Sequence, residues 1–401
     1  MEFKKENYTI DVFDIDGEQI AIRSFCNRIY VNKPVNSEFQ KLNLFAPEIY
    51  FEGGSIHGYT LKTAPIFMPN WVGGYKPGGL GNPEYTIKNG KKEANTLLKA
   101  LKHGYVVAIP AIRGRTQQDT EGNYTGKAPA CLIDYKAAVR YLRLFAEEIP
   151  GDVNKIITNG TSAGGALSSL MGATGNHPDY EPYFEELGAA KTRDDVFAAS
   201  CYCPITNLDN ADMAYEWEFC GENVYHTRDW SNSEKPIPVV KALTEEQIGL
   251  SKELKAMFSQ YINGLKLQSE KESLRLDEDG NGSFKEYMKK IVLESAQKAM
   301  DKGIDVSEKT WLTIENDKPV AMDWEGYVSD ITRMKPTPAF DNLELMSAEN
   351  DLFGTKDTSC KHFTEYGLAH SHVNGTMAEE HIVKLLNPMN YIADNAATKA
   401  K

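Results

Sequence analysis

The residues Gly160-Thr161-Ser162-Ala163-Gly164-Gly165 carry the clearest chemistry in the chain. They form a Gly-x-Ser-x-Gly pattern between an apolar run, Lys155-Ile156-Ile157-Thr158, and the helix-like segment GALSSLMGA. A serine at a tight strand-to-helix turn is a nucleophile for acyl transfer, because the turn lifts its hydroxyl above the sheet edge. Side chains two before and two after that serine would clash, which accounts for Gly160 and Gly164. The backbone N–H of Ala163 would face the position where an oxyanion develops. A second glycine-rich loop, Gly73-Gly74-Tyr75, follows the apolar run Ala64-Pro65-Ile66-Phe67-Met68. Small residues there would let another backbone N–H approach the same oxygen.

Other motifs read more plainly. Asp277-Glu278-Asp279-Gly280-Asn281-Gly282-Ser283 resembles the first half of a calcium loop, but position twelve is Met288 rather than the bidentate glutamate such a loop needs. A polar turn between two helices is expected. Arg113-Gly114-Arg115 suits a carboxylate or phosphate, with a solvated loop pair as the commoner meaning. His370 and His372 could supply a base, yet they fall in a loop with no strand and helix after them. The six cysteines, Cys26, Cys131, Cys201, Cys203, Cys220 and Cys360, lack Cys-x-x-Cys spacing. Cys201 and Cys203, two apart in a predicted strand, point to one face. Buried reduced thiols are expected, and the cytoplasm is the default compartment.

The elements that must position these residues follow from periodicity. Apolar runs at 64–68, 105–109, 155–158 and 196–202 alternate with helical stretches at 93–102, 130–148 and after Ser162. That rhythm implies βαβ units and a mostly parallel sheet, an α/β fold. From about Asn207 the chain turns Lys/Glu-rich, and Thr244-Glu245-Glu246-Gln247 opens a helix with a capping box. A second helical stretch runs from about Ser283 to Lys302. The organisation read from sequence is a sheet domain over 1–206, an inserted, largely helical lid over 207–338 and a return segment over 339–401. No convincing strand is expected past Tyr202.

Composition sets limits. The 401 residues carry 44 basic and 57 acidic side chains, a net charge of −13. Such a chain offers no positive field for nucleic acid or an anionic membrane. There is no run of apolar residues long enough to span a membrane, and the N-terminal stretch lacks the pattern of a secretory signal.

From about Ala64 onward the chain resembles the bacterial subtype B tannases, the tannin acyl hydrolases. The matching stretches are APIFMPN-WVGGY, GYVVAIPAIRGRT, KAPACLIDYKAAVRYL, NKIITNGTSAGGALSSL, YCPITNLDNADMAYEW, TRMKPTPAFDNLEL and SAENDLFG. The resemblance implies an α/β-hydrolase fold and a serine esterase in which the position of Ser162 attacks a galloyl ester. It implies an oxyanion hole from the N–H groups of Gly74 and Ala163. The positions of Lys335 and Glu349 would bind galloyl ring hydroxyls, and that of Ile205 would pack on the ring. The companion ring-packing position, a proline in relatives, is Ala348 here. The fungal tannase and feruloyl esterase pattern, with a cysteine before the serine, is not met, because Thr161 stands there.

No metal or cofactor is implied; the implied partner is a small galloyl or phenolic ester, and oligomeric state stays open. Family members continue past the position of Lys401 into a segment with the triad aspartate, a second ring-binding aspartate and the triad histidine. None of these has a counterpart here. The chain is therefore expected to be truncated by about 60–70 residues, two βα units at roughly 30 residues each, with an open sheet edge and an unactivated Ser162. The alternatives are a feruloyl or other aryl esterase on the same scaffold, and a non-catalytic phenolic-binding fragment.

Overall fold

A computed structural model describes residues 1–88, 90–229, 236–270 and 272–392. The chain divides into two compact units: Met1–Leu208 with the return segment from Glu344, and Asp209–Leu343. In chain order the first unit contains β1 (Thr9–Ile15), β2 (Glu18–Ile29), β3 (Lys41–Pro47), β4 (Pro65–Pro69), β5 (Tyr85–Lys88), β6 (Lys91–Ala94), α1 (Thr96–Lys102), β7 (Val106–Pro110), α2 (Ala130–Leu144), β8 (Asp152–Thr161), α3 (Ala163–Ala173), α4 (Glu181–Leu187) and β9 (Ala198–Tyr202). Seven strands form one sheet in the order β1-β2-β3-β7-β4-β8-β9.

The half of the sheet that carries the serine turn is parallel, β7 to β4 to β8 to β9. These four strands are the expected apolar runs, displaced by a few residues. β7 is buried along its whole length, as a strand covered on both faces must be. On one side Leu97, Leu98 and Leu101 of α1 pack with Ile15, Ile22, Phe45, Val107 and Ile109. Beyond β7, the antiparallel strands β3, β2 and β1 extend the sheet, an extension that sequence periodicity did not reveal. β1 is almost wholly exposed and so has little apolar pattern to read. Its link to β2 is the Asp16-Gly17 pair, both at positive φ, the chemistry of a tight hairpin turn. β9 forms the opposite edge, flanked by exposed Phe197 and Tyr202.

Helix α2 buries charged residues as well as apolar ones, and each is paired, as burial of charge requires. Arg113 Nε and Nη2 donate to the Asp134 carboxylate at 2.9 and 2.8 Å. Lys136 Nζ and Arg140 Nε donate to Asp194 at 2.6 and 2.8 Å. This corrects the reading of Arg113 and Arg115 as a solvated pair. Arg113 is locked inside the protein by Asp134, and Arg115 is half-buried with partners described below.

The second unit contains α5 (Ala211–Phe219), β10 (Val224–Asp229), β11 (Ile237–Ala242), α6 (Glu245–Leu265), α7 (Ser283–Asp301), β12 (Leu312–Glu315), β13 (Lys318–Met322) and α8 (Trp324–Ile331). The capping box at α6 forms: Thr244 Oγ1 accepts from the Gln247 N–H at 3.2 Å and Gln247 Oε1 from the Thr244 N–H at 3.0 Å. Its aromatic core gathers Trp217, Phe258 and Trp324. The expectation that no strand follows Tyr202 is overturned by two small antiparallel pairs, β10–β11 and β12–β13. They are short and mostly exposed, so they lack the apolar runs by which a strand is recognised. The return segment brings three short helices, α9 (Ala348–Leu352), α10 (Glu365–Ala369) and α11 (Glu380–Leu385). Among the described residues no helix is long and apolar enough to cross a membrane.

Candidate active site

Ser162 joins β8 to α3 with φ 58° and ψ −122°, a conformation costly for a residue with a side chain and found where surrounding structure enforces it. The enforcement is visible. The Ser162 N–H donates to the Tyr202 carbonyl at the end of β9, at 3.0 Å. A Cβ at Gly160 would fall on the Gly164 carbonyl and, at 2.6 Å, on Asn70 Nδ2. One at Gly164 would lie 2.8 Å from the Val72 carbonyl, and one at Gly165 would fall on the Tyr202 carbonyl. Strand, turn and helix therefore approach to backbone contact, and only glycine fits. Ser162 itself is exposed while Ala163 is buried.

Asn70, at the end of β4, ties the second glycine loop to this turn, and the sequence reading passed over it. Its Nδ2 donates to the carbonyls of Asn159 at 3.1 Å and Gly164 at 3.0 Å, and its Oδ1 accepts from the Val72 N–H at 3.3 Å. Tyr135 Oη supports the same strand by donating to the Met68 carbonyl at 2.5 Å. The chain then runs through Gly73 to Gly74, at φ 53°, and Tyr75, at φ 55°. Arg115 Nε donates to the Gly74 carbonyl at 2.7 Å, and the same guanidinium pairs with Asp351 of α9. Asp351 also pairs with Lys127. Among the described residues, the N–H groups of Gly74 and Ala163 have no acceptor. For Ala163, the first residue of α3, a free N–H is the ordinary state of a helix start.

Helix α9 brings Ala348 and Glu349 to this loop. A Cβ at Gly74 would lie 3.9 Å from Ala348 Cβ. Glu349 is buried and close enough to Tyr75 for its charge, with burial as the larger cause, to raise the Tyr75 hydroxyl well above its usual pKa. That hydroxyl is buried without a hydrogen-bond partner among the described residues. Ile205, half-buried, lies three residues past Tyr202, whose carbonyl holds the Ser162 amide. Lys335 belongs to the second unit, with its Nζ 3.9 Å from the Phe340 ring centroid and its N–H donated to Tyr215 Oη at 3.1 Å. Ser162, Ala163, Gly74, Ile205 and Glu349 thus belong to the first unit and Lys335 to the second.

The histidines weighed as bases have other partners. His370 Nδ1 lies 2.9 Å from the Tyr366 carbonyl and His372 Nδ1 2.9 Å from Glu344 Oε1. Among the described residues the Ser162 hydroxyl makes no hydrogen bond. The cysteines also depart from expectation: all six are free, but only Cys131 is buried, and Cys203 is exposed just past the end of β9 at φ 37°, so it does not share the strand with Cys201. The acidic 277–283 loop folds on itself, with Asp277 Oδ1 accepting from the N–H groups of Asp279 at 3.0 Å and Asn281 at 2.8 Å.

Proteins similar to this chain include esterases and tannases. Residues 84–238 match the BD-FAE family model. Esterase LipQ of Mycobacterium tuberculosis is 33 % identical over 88 residues, 22 % of this chain, and the match spans only 20 % of that relative's length. A tannase from Fusobacterium nucleatum extends much further: it is 46 % identical with a TM-score of 0.91, covering 98 % of this chain and 85 % of that one. The chain belongs to the bacterial tannase family. Its class is that of the carboxylic ester hydrolases, and its α/β-hydrolase-like sheet is the one expected from sequence. A tannin acyl hydrolase solved with ethyl gallate is also similar, at 42 % identity and a TM-score of 0.90, covering 98 % of this chain and 84 % of that one.

Proposed function

We propose that this tannase-family chain cleaves galloyl esters through an acyl-enzyme formed on Ser162. The observation that carries the reading is an exposed serine at a strained turn, whose helix-start amide and the amide of the glycine loop tied to that turn through Asn70 have no acceptor among the described residues. Ser162 Oγ attacks the ester carbonyl, and the Ala163 and Gly74 N–H groups receive the charge on its oxygen. The C–O bond to the alcohol then breaks, the alcohol leaves with a proton, and water releases gallate from Ser162. Glu349 accepts hydrogen bonds from the ring hydroxyls. Such pairing selects gallate over unsubstituted benzoate, because a buried polar group left unpaired is costly. Ile205 packs on the ring, and Ala348 offers a smaller wall than proline.

The step that needs a further group is proton removal from Ser162, since its hydroxyl makes no hydrogen bond among the described residues. An external base tests the rest of the machinery. Methyl gallate and methyl ferulate are incubated with the protein in imidazole buffer, with Ser162→Ala as control. Imidazole-dependent methyl gallate hydrolysis that Ser162→Ala abolishes supports the proposal. Preference for ferulate would replace it with a feruloyl esterase, and turnover equal in Ser162→Ala would remove it. A cytoplasmic location is part of the same proposal, supported by six free thiols.

A further inference from the structure

Within the second unit a cavity of about 440 Å³ opens between α5, α6, α8 and the 277–283 loop. Its floor is the paired indoles of Trp217 and Trp324, whose ring centroids lie 5.4 Å apart. Trp217 is buttressed by Phe258 at 5.4 Å and Phe284 at 5.5 Å. The loop is fixed on this floor: Trp217 Nε1 donates to the Gly280 carbonyl at 2.9 Å. Gly280 is at φ 77°, and a Cβ there would lie 3.0 Å from Lys255 Cε and 3.1 Å from Trp217 Cδ1. This close approach makes the acidic motif a wall of the cavity.

Two charged groups on the walls have no hydrogen-bond or ion-pair partner among the described residues. Glu218 makes no hydrogen bond or ion pair among the described residues, and burial raises its pKa above the ordinary carboxylate value. Lys255 is likewise without a hydrogen-bond or ion-pair partner among them. Lys285 donates to Asn281 Oδ1 at 3.0 Å and faces Glu325 at 3.6 Å. Donors and acceptors therefore share the walls with the two indoles. That arrangement complements a ring whose hydroxyls each donate and accept and whose C–H edges are apolar. Acidic groups outnumber the two lysines on the walls, which disfavours anions.

We propose that this cavity is a binding site for a neutral polyhydroxylated ring, a saccharide unit, held by residues of the second unit that the proposed acyl transfer does not use. Glu218 accepts from its hydroxyls and Lys255 donates to them. The proposal is independent of whether Ser162 turns over an ester. The test is saturation-transfer NMR and tryptophan fluorescence on the full chain, titrated with methyl β-D-glucoside, methyl gallate and gallate. Saturable glucoside binding is expected, unchanged by Ser162→Ala. Glu218→Ala and Lys255→Met should each weaken it about tenfold, the loss of one charge-assisted hydrogen bond, while Glu218→Gln, which keeps an acceptor, retains most of it. Melting temperatures of all variants separate lost binding from lost fold, and Lys255→Met, on a half-buried helix position, decides the matter if Glu218→Ala does not fold. Absence of saturable glucoside binding, tighter binding of methyl gallate or gallate at these residues, or binding indifferent to both variants would overturn the proposal.

Discussion

Replacing Asn70 by alanine should loosen the link between the two amides proposed to hold the oxyanion, and its cost follows from the bonds the side chain makes. Asn70 Nδ2 donates to the Asn159 and Gly164 carbonyls, and Oδ1 accepts from the Val72 N–H. The Asn159 carbonyl keeps a second donor in the variant, the Asn70 backbone N–H at 2.9 Å. Its loss and that of the Gly164 bond are each ordinary, about 1 kcal/mol. Val72 is buried, so its N–H loses its partner without gaining water, at about 1–3 kcal/mol. The sum is roughly 3–5 kcal/mol. Thermal and urea unfolding of Asn70→Ala measure it. Hydrogen exchange supplies the local readout: amides over 70–76 and 160–166 should exchange faster, while those of β1 and β2 are unchanged. A variant within about 0.5 kcal/mol of the parent, with unchanged exchange over those stretches, would refute the argument that this side chain braces the loop.

Gly73→Ala should be close to silent, because a Cβ there meets nothing within 4 Å. Gly74→Ala meets only an ordinary contact but must hold φ 53°, at a cost of about 1–2 kcal/mol; comparison of the two melting temperatures checks the contrast. Lys136→Met leaves the buried Asp194 with Arg140 as its one remaining ion-pair partner and should destabilise by about 3–5 kcal/mol, read from urea unfolding. Burial raises Asp212 to about 7, although its carboxylate accepts the Phe340 and Asp341 N–H groups. A carboxyl that holds its proton in the folded state and releases it when unfolded stabilises at low pH, and that contribution is lost as pH rises from about 4 to about 7. Unfolding of the second unit should therefore grow easier across that window, and Asp212→Asn should flatten the slope.

The serine turn was legible because sterics alone dictate it: a strand, a glycine on either side and a helix leave little choice of geometry. The same holds for the apolar runs of β4, β7, β8 and β9, whose burial is written in their composition. β1 and the pairs β10–β11 and β12–β13 were not legible, since exposed strands need no apolar alternation; only turn chemistry such as Asp16-Gly17, or Asn316-Asp317 at positive φ, marks them. Arg113 and Asn70 show a different limit. Their partners, Asp134 and Gly164, lie 21 and 94 residues away, so neither neighbouring sequence nor residue type reveals whether a polar side chain is solvated or braces the interior. Arg115 is the instructive case: half of a loop motif in sequence, it joins the Gly74 carbonyl to the helix that carries Glu349.

The central claim is that Ser162 accepts the acyl group. Peptide mapping by mass spectrometry, after incubation with an activated galloyl ester in imidazole buffer, tests it most directly. The account expects a galloyl adduct on the peptide containing Ser162, absent from Ser162→Ala and diminished in Gly74→Ala. An adduct on another residue, or equal labelling in Ser162→Ala, would contradict it.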